Sequence, residues 1–160
     1  MPDERIPMTR EGYDKRKADL DAQIAESIEI TKRVATAREL GDLSENAEYH
    51  AAREDQAMLE ARIRETRDQL NRASIVDPST LPRDRVVFGS KVRIVDLEYD
   101  EEETFVLVGP GQDDAVKNRI LTTSPIGQGL LGAKVGETVD ITVPKGILRF
   151  KVLEIAVGLE

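Results

Sequence analysis

The composition favours small or elongated modules over one large packed core: the chain has 160 residues, of which 34% are charged and only 4% aromatic. The formal net charge of -8 argues against free duplex nucleic acid as the main partner, because phosphate binding needs a basic surface. The absence of cysteine excludes disulfides and thiolate chemistry. The first residues are polar and no apolar run approaches the roughly 18 residues of a membrane span, so we expect a soluble, cytoplasmic protein with no membrane partner.

The first part of the chain carries two helical patterns, and we predict a helical domain over residues 1–76. We interpret residues 1–7 as a mobile leader and Thr9 as a candidate N-cap of the first helix. Gly41 stands where a residue after a helix end is expected, since glycine adopts backbone angles that other residues avoid. The apolar spacing predicts a buried stripe on the first helix at Tyr13, Leu20, Ile24, Ile28, Thr31 and Val34.

The second helix has a clearer pattern, with intervals of four and three residues. These intervals define a heptad seam at Ala52, Gln56, Leu59, Ile63, Thr66, Leu70 and Ala73. Two helices with one apolar stripe each bury those stripes against each other, so the sequence predicts an antiparallel coiled-coil hairpin. About 30 residues per helix correspond to a rod of roughly 45 Å.

A linker over residues 77–84 and a β-rich domain over 85–160 follow the hairpin. We predict a short helix after Ser124, an N-cap followed by Pro125, with Leu130 to Gly132 at its end. We interpret Asp100–Glu103 as an acidic turn and Pro144–Gly146 as a hairpin turn. The predicted strands are Val86–Phe88, Lys91–Leu97, Thr104–Val108, Thr138–Val143 and Phe150–Ile155. The fold class is therefore α+β, with a small antiparallel sheet.

Two interpretations of the acidic turn between the helices stay open. In the structural one, Asp42 is the N-cap of the second helix, Glu45 completes a capping box, and the Ser44 hydroxyl assists. In the functional one, the two carboxylates hold one Mg²⁺ weakly, since this ion commonly takes only one or two protein carboxylates. Such a site is incomplete alone and acts beside a second metal and a phosphodiester.

No complete catalytic site is visible elsewhere in the sequence. His50 is the only histidine and lies on a charged helix, where a surface position is the usual explanation. With no cysteine and no nucleophile elbow, a catalytic triad is excluded. The glycines near residue 130 lack the lysine and hydroxyl residue of a phosphate-binding loop.

Four motifs in order resemble the Gre family of bacterial transcript cleavage factors. They read GDLSENAEYHAAR at 41–53, MTREG at 8–12, VFGSKV at 87–92, and SPIG, LLG and VGE between 124 and 137. The resemblance implies an N-terminal hairpin and an FKBP-like C-terminal domain. It also implies a factor, monomeric in our interpretation and no enzyme on its own, that binds RNA polymerase. Its hairpin enters the secondary channel and stimulates cleavage of nascent RNA in backtracked complexes.

The resemblance also assigns roles to individual residues. It gives Asp42 and Glu45 the task of holding an Mg²⁺ shared with the polymerase, which is not bound tightly by the free protein. It makes Arg38 and Arg53 a basic patch that contacts the RNA 3′ end. Further residues are assigned to support of the tip, namely Gly41, Ser44, Asn46 and Tyr49, and to polymerase docking, namely Ser124, Pro125, Ile126 and Leu130.

Two other functions fit the same sequence. A protein of this fold could occupy the secondary channel and inhibit the polymerase without stimulating cleavage. Alternatively, the chain could be a coiled-coil adaptor whose acidic turn only caps the second helix. In the adaptor, replacement of both carboxylates by alanine would cost about 1 kcal/mol of stability and no activity.

Overall fold

The computed structural model describes residues 4–42 and 46–159, so Leu43, Ser44 and Glu45 of the acidic turn lie outside the described residues. The chain divides into two compact units. One contains Asp14–Ala73, and the other contains Arg5–Tyr13 together with the residues from Ser74 onward. The sequence-based division placed residues 5–13 with the hairpin instead.

Two long helices make up most of the first unit, and only the first four residues of α1 belong to the second. Helix α1 spans Arg10–Arg38, and its first turn is capped by Thr9, whose Oγ1 accepts a hydrogen bond of 3.0 Å from the Gly12 N–H. Helix α2 spans Ala47–Asn71. The helices run antiparallel and bury a shared core of Ile30, Val34, Ala52, Leu59 and Ile63, with Leu20 and Tyr49 packed against it. The predicted antiparallel hairpin is therefore confirmed.

The two predicted seams differ in accuracy. On α2 the heptad is confirmed at its buried positions Ala52, Leu59, Ile63 and Thr66. On α1 the stripe is wrong at Ile28, which is 54% exposed, and at Thr31, which is also exposed. The α1 residues that face α2 follow alternating intervals of three and four: Leu20, Gln23, Ser27, Ile30, Val34 and Ala37. Gln23 and Ser27 are polar, so hydrophobic spacing alone did not predict this seam.

The N-terminal segment forms part of a small sheet. Strand β1 (Ile6–Met8) pairs with strand β2 (Ala73–Ile75). The Val76 N–H donates to the Met8 carbonyl at 2.8 Å, and the Met8 side chain is only 1% exposed. The interpretation of residues 1–7 as a mobile leader is therefore wrong for Ile6 and Pro7.

The second unit contains a five-stranded sheet in the order β5-β4-β3-β7-β6. All neighbouring strands are antiparallel except β4 and β5, which are parallel. The strands are β3 (Ser90–Asp96), β4 (Glu101–Val108), β5 (Arg119–Leu121), β6 (Thr138–Val143) and β7 (Gly146–Val157). One face of the sheet carries the main core, which includes Val92, Ile94, Leu107, Leu130, Phe150 and Val152. The α+β fold class is confirmed.

One predicted strand and one predicted turn need correction. Residues Val86–Phe88 form no strand; Val86 instead bonds to the segment after the short helix, donating to Ala133 O at 2.9 Å and accepting from Gly132 N at 2.8 Å. Glu101–Glu103 belong to β4 and not to a turn. The turn covers residues 97–100, three residues earlier than predicted, and ends at Asp100, whose φ is +55°.

Helix α3 (Pro125–Leu130) begins and ends as predicted. The Ser124 hydroxyl accepts a hydrogen bond of 3.1 Å from the Gly127 N–H, and Gly132 follows the helix with a φ of +83°. Gly127 and Gly129 are weak helix formers, but close packing requires them. A Cβ at Gly127 would overlap the Leu121 carbonyl oxygen, and one at Gly129 would lie 2.8 Å from Ile141 Cδ1.

Candidate functional site

The turn between α1 and α2 begins with a tightened end of α1. After the last helical residue, Arg38, the Glu39 and Leu40 N–H groups donate to the Thr36 and Ala37 carbonyls at 3.2 and 3.1 Å. Gly41 lies three residues beyond the helix, further than the sequence predicted, and has a φ of +128° that favours glycine. Asp42 follows and is exposed to solvent.

Asn46 caps α2. Its Oδ1 accepts a hydrogen bond of 3.0 Å from the Tyr49 N–H, as an N-cap side chain does. The prediction that Asp42 is the N-cap is therefore wrong, because the N-cap, Asn46, lies four residues later in the chain. The Asn46 Nδ2 also donates to the Ala37 carbonyl oxygen at 2.6 Å, so this side chain connects both helices.

The two predicted basic residues lie on the helices that flank the turn. The Arg38 guanidinium carbon is 5.8 Å from the centroid of the Tyr49 ring, a cation–π distance. Tyr49 is half-buried, packs against the hairpin core and contacts the His50 ring edge-on at 5.5 Å. Arg53 is exposed and donates from Nη1 to Gln56 Oε1 at 2.9 Å. Both guanidinium groups therefore remain accessible to a phosphate.

The structure describes only one of the two carboxylates that the sequence predicts to share a metal ion. Carboxylate oxygens suit Mg²⁺, which accepts one or two of them and fills its other positions with water or phosphate oxygens. Within residues 4–42 and 46–159, no three His, Cys, Asp or Glu side chains gather closely enough to hold a metal. Asp42 belongs to that described part, whereas Glu45 lies outside it.

The predicted docking residues around α3 differ in exposure. Ser124 is occupied by the helix cap and also donates from Oγ to the Leu121 carbonyl at 2.7 Å. Ile126 packs against the core and Leu130 is fully buried in it, so of the four only Pro125 is exposed. Two exposed apolar neighbours, Leu131 (37% exposed) and Val135 (56%), were not among the predicted docking residues. Both belong to the family motifs LLG and VGE, but the sequence alone does not show that residues at the helix C-cap and in the following turn are exposed.

Family models match both parts of the chain. The model described as transcription elongation factor, N-terminal, matches residues 6–75. The model described as transcription elongation factor, GreA/GreB, C-term, matches residues 81–157. The chain belongs to the GreA/GreB family of transcription elongation factors. The resemblance deduced from the four motifs is thus confirmed.

Two GreA proteins agree with this assignment. The transcription elongation factor GreA of Thermodesulfovibrio yellowstonii is 47% identical over 154 residues, which are 96% of this chain and 98% of the relative. GreA of a Psychrobacter species is 43% identical and covers 95% of this chain and 98% of its own length. A crystal structure of GreA factor homolog 1 of Thermus thermophilus is 28% identical, with a TM-score of 0.47, and covers 95% of this chain and 99% of its own.

Among the described helices, none combines the length and apolar character needed to cross a bilayer.

Proposed function

We propose that this elongation factor binds RNA polymerase and stimulates its cleavage of nascent RNA in backtracked complexes. In this proposal the hairpin enters the secondary channel and brings Asp42 and Glu45 to the active centre. One observation carries it: Asn46 caps α2, so Asp42 does not serve as the helix cap, and an exposed carboxylate lies beyond a 29-residue helix. A helix of that length reaches about 44 Å.

The two carboxylates have one chemical task in this proposal. Mg²⁺, when held jointly with the polymerase, stabilises the charge that develops on the phosphate and lowers the pKa of a bound water. The protein contributes oxygen ligands and fixes where they stand. Because two carboxylates bind Mg²⁺ weakly on their own, we expect no tight metal site in the free protein.

Arg38 and Arg53 are proposed to contact the displaced RNA 3′ segment. A guanidinium pairs with phosphate through two parallel hydrogen bonds, which a lysine cannot form. The contact between Arg38 and Tyr49 supports this role, because it holds the cation beside the turn without neutralising it. Arg38 and Arg53 would then hold the RNA in place while Asp42 and Glu45 supply metal ligands.

Polymerase docking is proposed for the exposed surface around α3. Leu130 is withdrawn from this role because its side chain is fully buried. Pro125, Leu131 and Val135 present exposed apolar area near the helix ends, which suits a protein interface. We expect the protein to act as a monomer in the cytoplasm, where bacterial transcription takes place.

The experiment is transcript cleavage in stalled, backtracked elongation complexes with the wild type and the double variant Asp42→Asn/Glu45→Gln. We expect the wild type to accelerate cleavage and the variant to lose about 100-fold or more, since a metal contact supplies several kcal/mol to the transition state. Polymerase binding, measured by competition with labelled wild type, should be unchanged. The matched control is Glu39→Gln/Glu48→Gln, which makes the same charge change at two exposed acids flanking the turn.

The outcomes separate the competing functions. If the wild type binds the polymerase and slows transcription without cleavage, the protein is an inhibitor. If the wild type does not bind, the adaptor interpretation stands. Equal loss of cleavage in both charge variants would show that the turn acts through its net charge and not through the two carboxylates.

A further inference from the structure

Strand β6 forms one edge of the five-stranded sheet and pairs with β7 alone. The Val152 N–H donates to the Glu137 carbonyl oxygen at 2.9 Å, so this carbonyl points toward β7. Because backbone groups alternate along an antiparallel strand, those of Thr138, Asp140 and Thr142 point to the opposite side. Within residues 4–42 and 46–159, no strand pairs with that side. The edge therefore presents a row of hydrogen-bonding groups that a further strand can join.

Both ends of this edge limit pairing to one short segment. At its start, Gly136 and Glu137 both bond to Val152, two residues against one as in a β-bulge, with the Gly136 N–H donating to the Val152 carbonyl at 2.8 Å. At its end stands Pro144, which has no N–H. Bulges and prolines restrict pairing at sheet edges. The edge therefore suits one added strand of about the same length as β6, which has six residues.

A second copy of β6, placed antiparallel to the first, matches its apolar side chains. When Asp140 lies opposite Thr142 of the second copy, Val139 lies opposite Val143 and Ile141 lies opposite its own equivalent. Val139 and Val143 are only half-buried and pack against the core of the sheet. Cross-strand pairs of β-branched side chains stabilise a sheet, so this register buries apolar area that the single chain leaves accessible.

The charges favour the same register. It places Glu137 beside Lys145 of the second copy, and twofold symmetry forms this contact twice; both residues are exposed. Sliding the second copy one way would put Asp140 opposite its own equivalent, which like charges disfavour. Sliding it the other way would put Lys145 opposite Val139, without a carboxylate. In the matched register the Asp140 charge is already balanced, since Arg149 Nε donates to Asp140 Oδ1 at 2.9 Å.

We propose that β6 is a self-association surface: two copies of the free protein pair their β6 strands antiparallel about a twofold axis at Ile141. Such a contact is isologous, so it closes on itself and gives a dimer. It is small beside the roughly 1,200–2,000 Å² of stable protein interfaces, so the dimer is weak and reversible. The dimer is a state of the free protein and does not depend on the proposed function, in which the protein acts as a monomer.

Sedimentation equilibrium of the full chain between about 10 µM and 1 mM tests the proposal, a range that suits a small interface. The average mass of the wild type should rise with concentration toward that of a dimer. Thr142→Pro removes an N–H that points away from β7, so it should leave the β6–β7 ladder intact and keep the protein monomeric. The matched control, Thr142→Val, keeps the N–H and should associate like the wild type. Urea unfolding confirms that both variants are folded.

Charge reversal tests the register without changing the backbone. Glu137→Lys and Lys145→Glu each replace two attractive contacts by two repulsive ones, so each should raise the dissociation constant of the dimer by about 10-fold. The double variant Glu137→Lys/Lys145→Glu should restore the wild-type value. The control Asp113→Lys makes the same charge change as Glu137→Lys at an exposed residue outside β6 and should have no effect.

Cross-linking gives a direct measure of the same register, because the chain has no cysteine of its own. Asp140→Cys and Thr142→Cys, mixed and oxidised in air, should form a disulfide with each other, since directly opposed residues have Cα atoms about 5.5 Å apart. Each variant alone should cross-link far less, because its cysteines are then diagonal neighbours at about 7–8 Å.

Three results would overturn the proposal. A wild type that remains monomeric up to about 1 mM would show that the β6 edge does not pair with itself at the concentrations expected of a small interface. Association that survives Thr142→Pro would place the contact on another surface. Association that responds to the proline but not to either charge reversal, or that the double variant does not restore, would exclude the antiparallel register.

Discussion

The half of the hairpin next to the turn is packed differently from the far half. In residues 27–38 of α1, the side chains of Ile30, Val34 and Ala37 are all buried against α2. In residues 14–26, the equivalent positions are only half-buried and include Arg16 and Gln23. Along one helix, the seam therefore changes from aliphatic to largely polar.

The polar seam of the far half is incompletely paired. The Arg16 Nε donates to Gln69 Oε1 at 2.8 Å, so these two side chains are hydrogen-bonded to each other across the helices. The Gln23 Oε1 atom is buried and accepts no hydrogen bond from any group of residues 4–42 and 46–159. A buried polar atom without a partner costs stability. On α1, burial of apolar side chains is therefore concentrated in the half of the helix next to the acidic turn.

The largest expected effect comes from shortening an aliphatic side chain of the turn-side half. Leu59 is 2% exposed and packs in the hairpin core, so Leu59→Ala should lower the free energy of unfolding by about 2–5 kcal/mol. Urea unfolding followed by far-ultraviolet circular dichroism measures this loss, because the helices dominate that signal. The neighbouring Met58 is 52% exposed, and Met58→Ala should cost less than about 1 kcal/mol. Similar losses in both variants would contradict the packing described for this half.

The sequence could predict α2 because its pattern and its packing agree. Leu59 and Ile63 fall on the heptad, and the intervals around them admit one seam only. On α1, Ile28 and Ile30 are both candidates for the buried seam, and the choice between them depends on whether Ser27 lies in that seam. Ser27 does lie there, with its Oγ bonded to the Ile24 carbonyl at 2.7 Å, which removes the cost of burying a hydroxyl. That local bond cannot be deduced from hydrophobic spacing.

The missed strands and the missed cap have a different cause. Strands β1, β2 and β5 have three residues each, too few for alternation to be recognised. At the turn, Asp42 and Asn46 are both good cap residues, and sequence preference does not distinguish them. The position of the Ala37 carbonyl decides in favour of Asn46, since it offers the amide a second partner.

A smaller effect of opposite sign is expected in the far half. Gln23→Leu removes the unpartnered oxygen and adds apolar area, so the free energy of unfolding should rise by about 1 kcal/mol. The matched control is Gln69→Leu, which removes an oxygen that accepts from Arg16 and should lower the stability by about the same amount. Urea unfolding of both variants tests the assignment. If both substitutions stabilise, the polar contacts of this half contribute nothing, and the halves differ only in side-chain volume.

The smallest effect is expected for the ion pair on the surface of the turn-side half. Arg33 Nη2 lies 2.6 Å from Asp55 Oδ2, but about half of each side chain is exposed, at 51% and 52%. Water and salt screen such a pair, so a double-mutant cycle with Arg33→Ala and Asp55→Ala should give a coupling of about 0.2–1 kcal/mol. The coupling should fall further in high salt, whereas the loss in Leu59→Ala should persist, because burial of apolar area is not screened. A coupling above about 2 kcal/mol that survives high salt would mean that charge, and not the aliphatic seam, holds this half of the hairpin together.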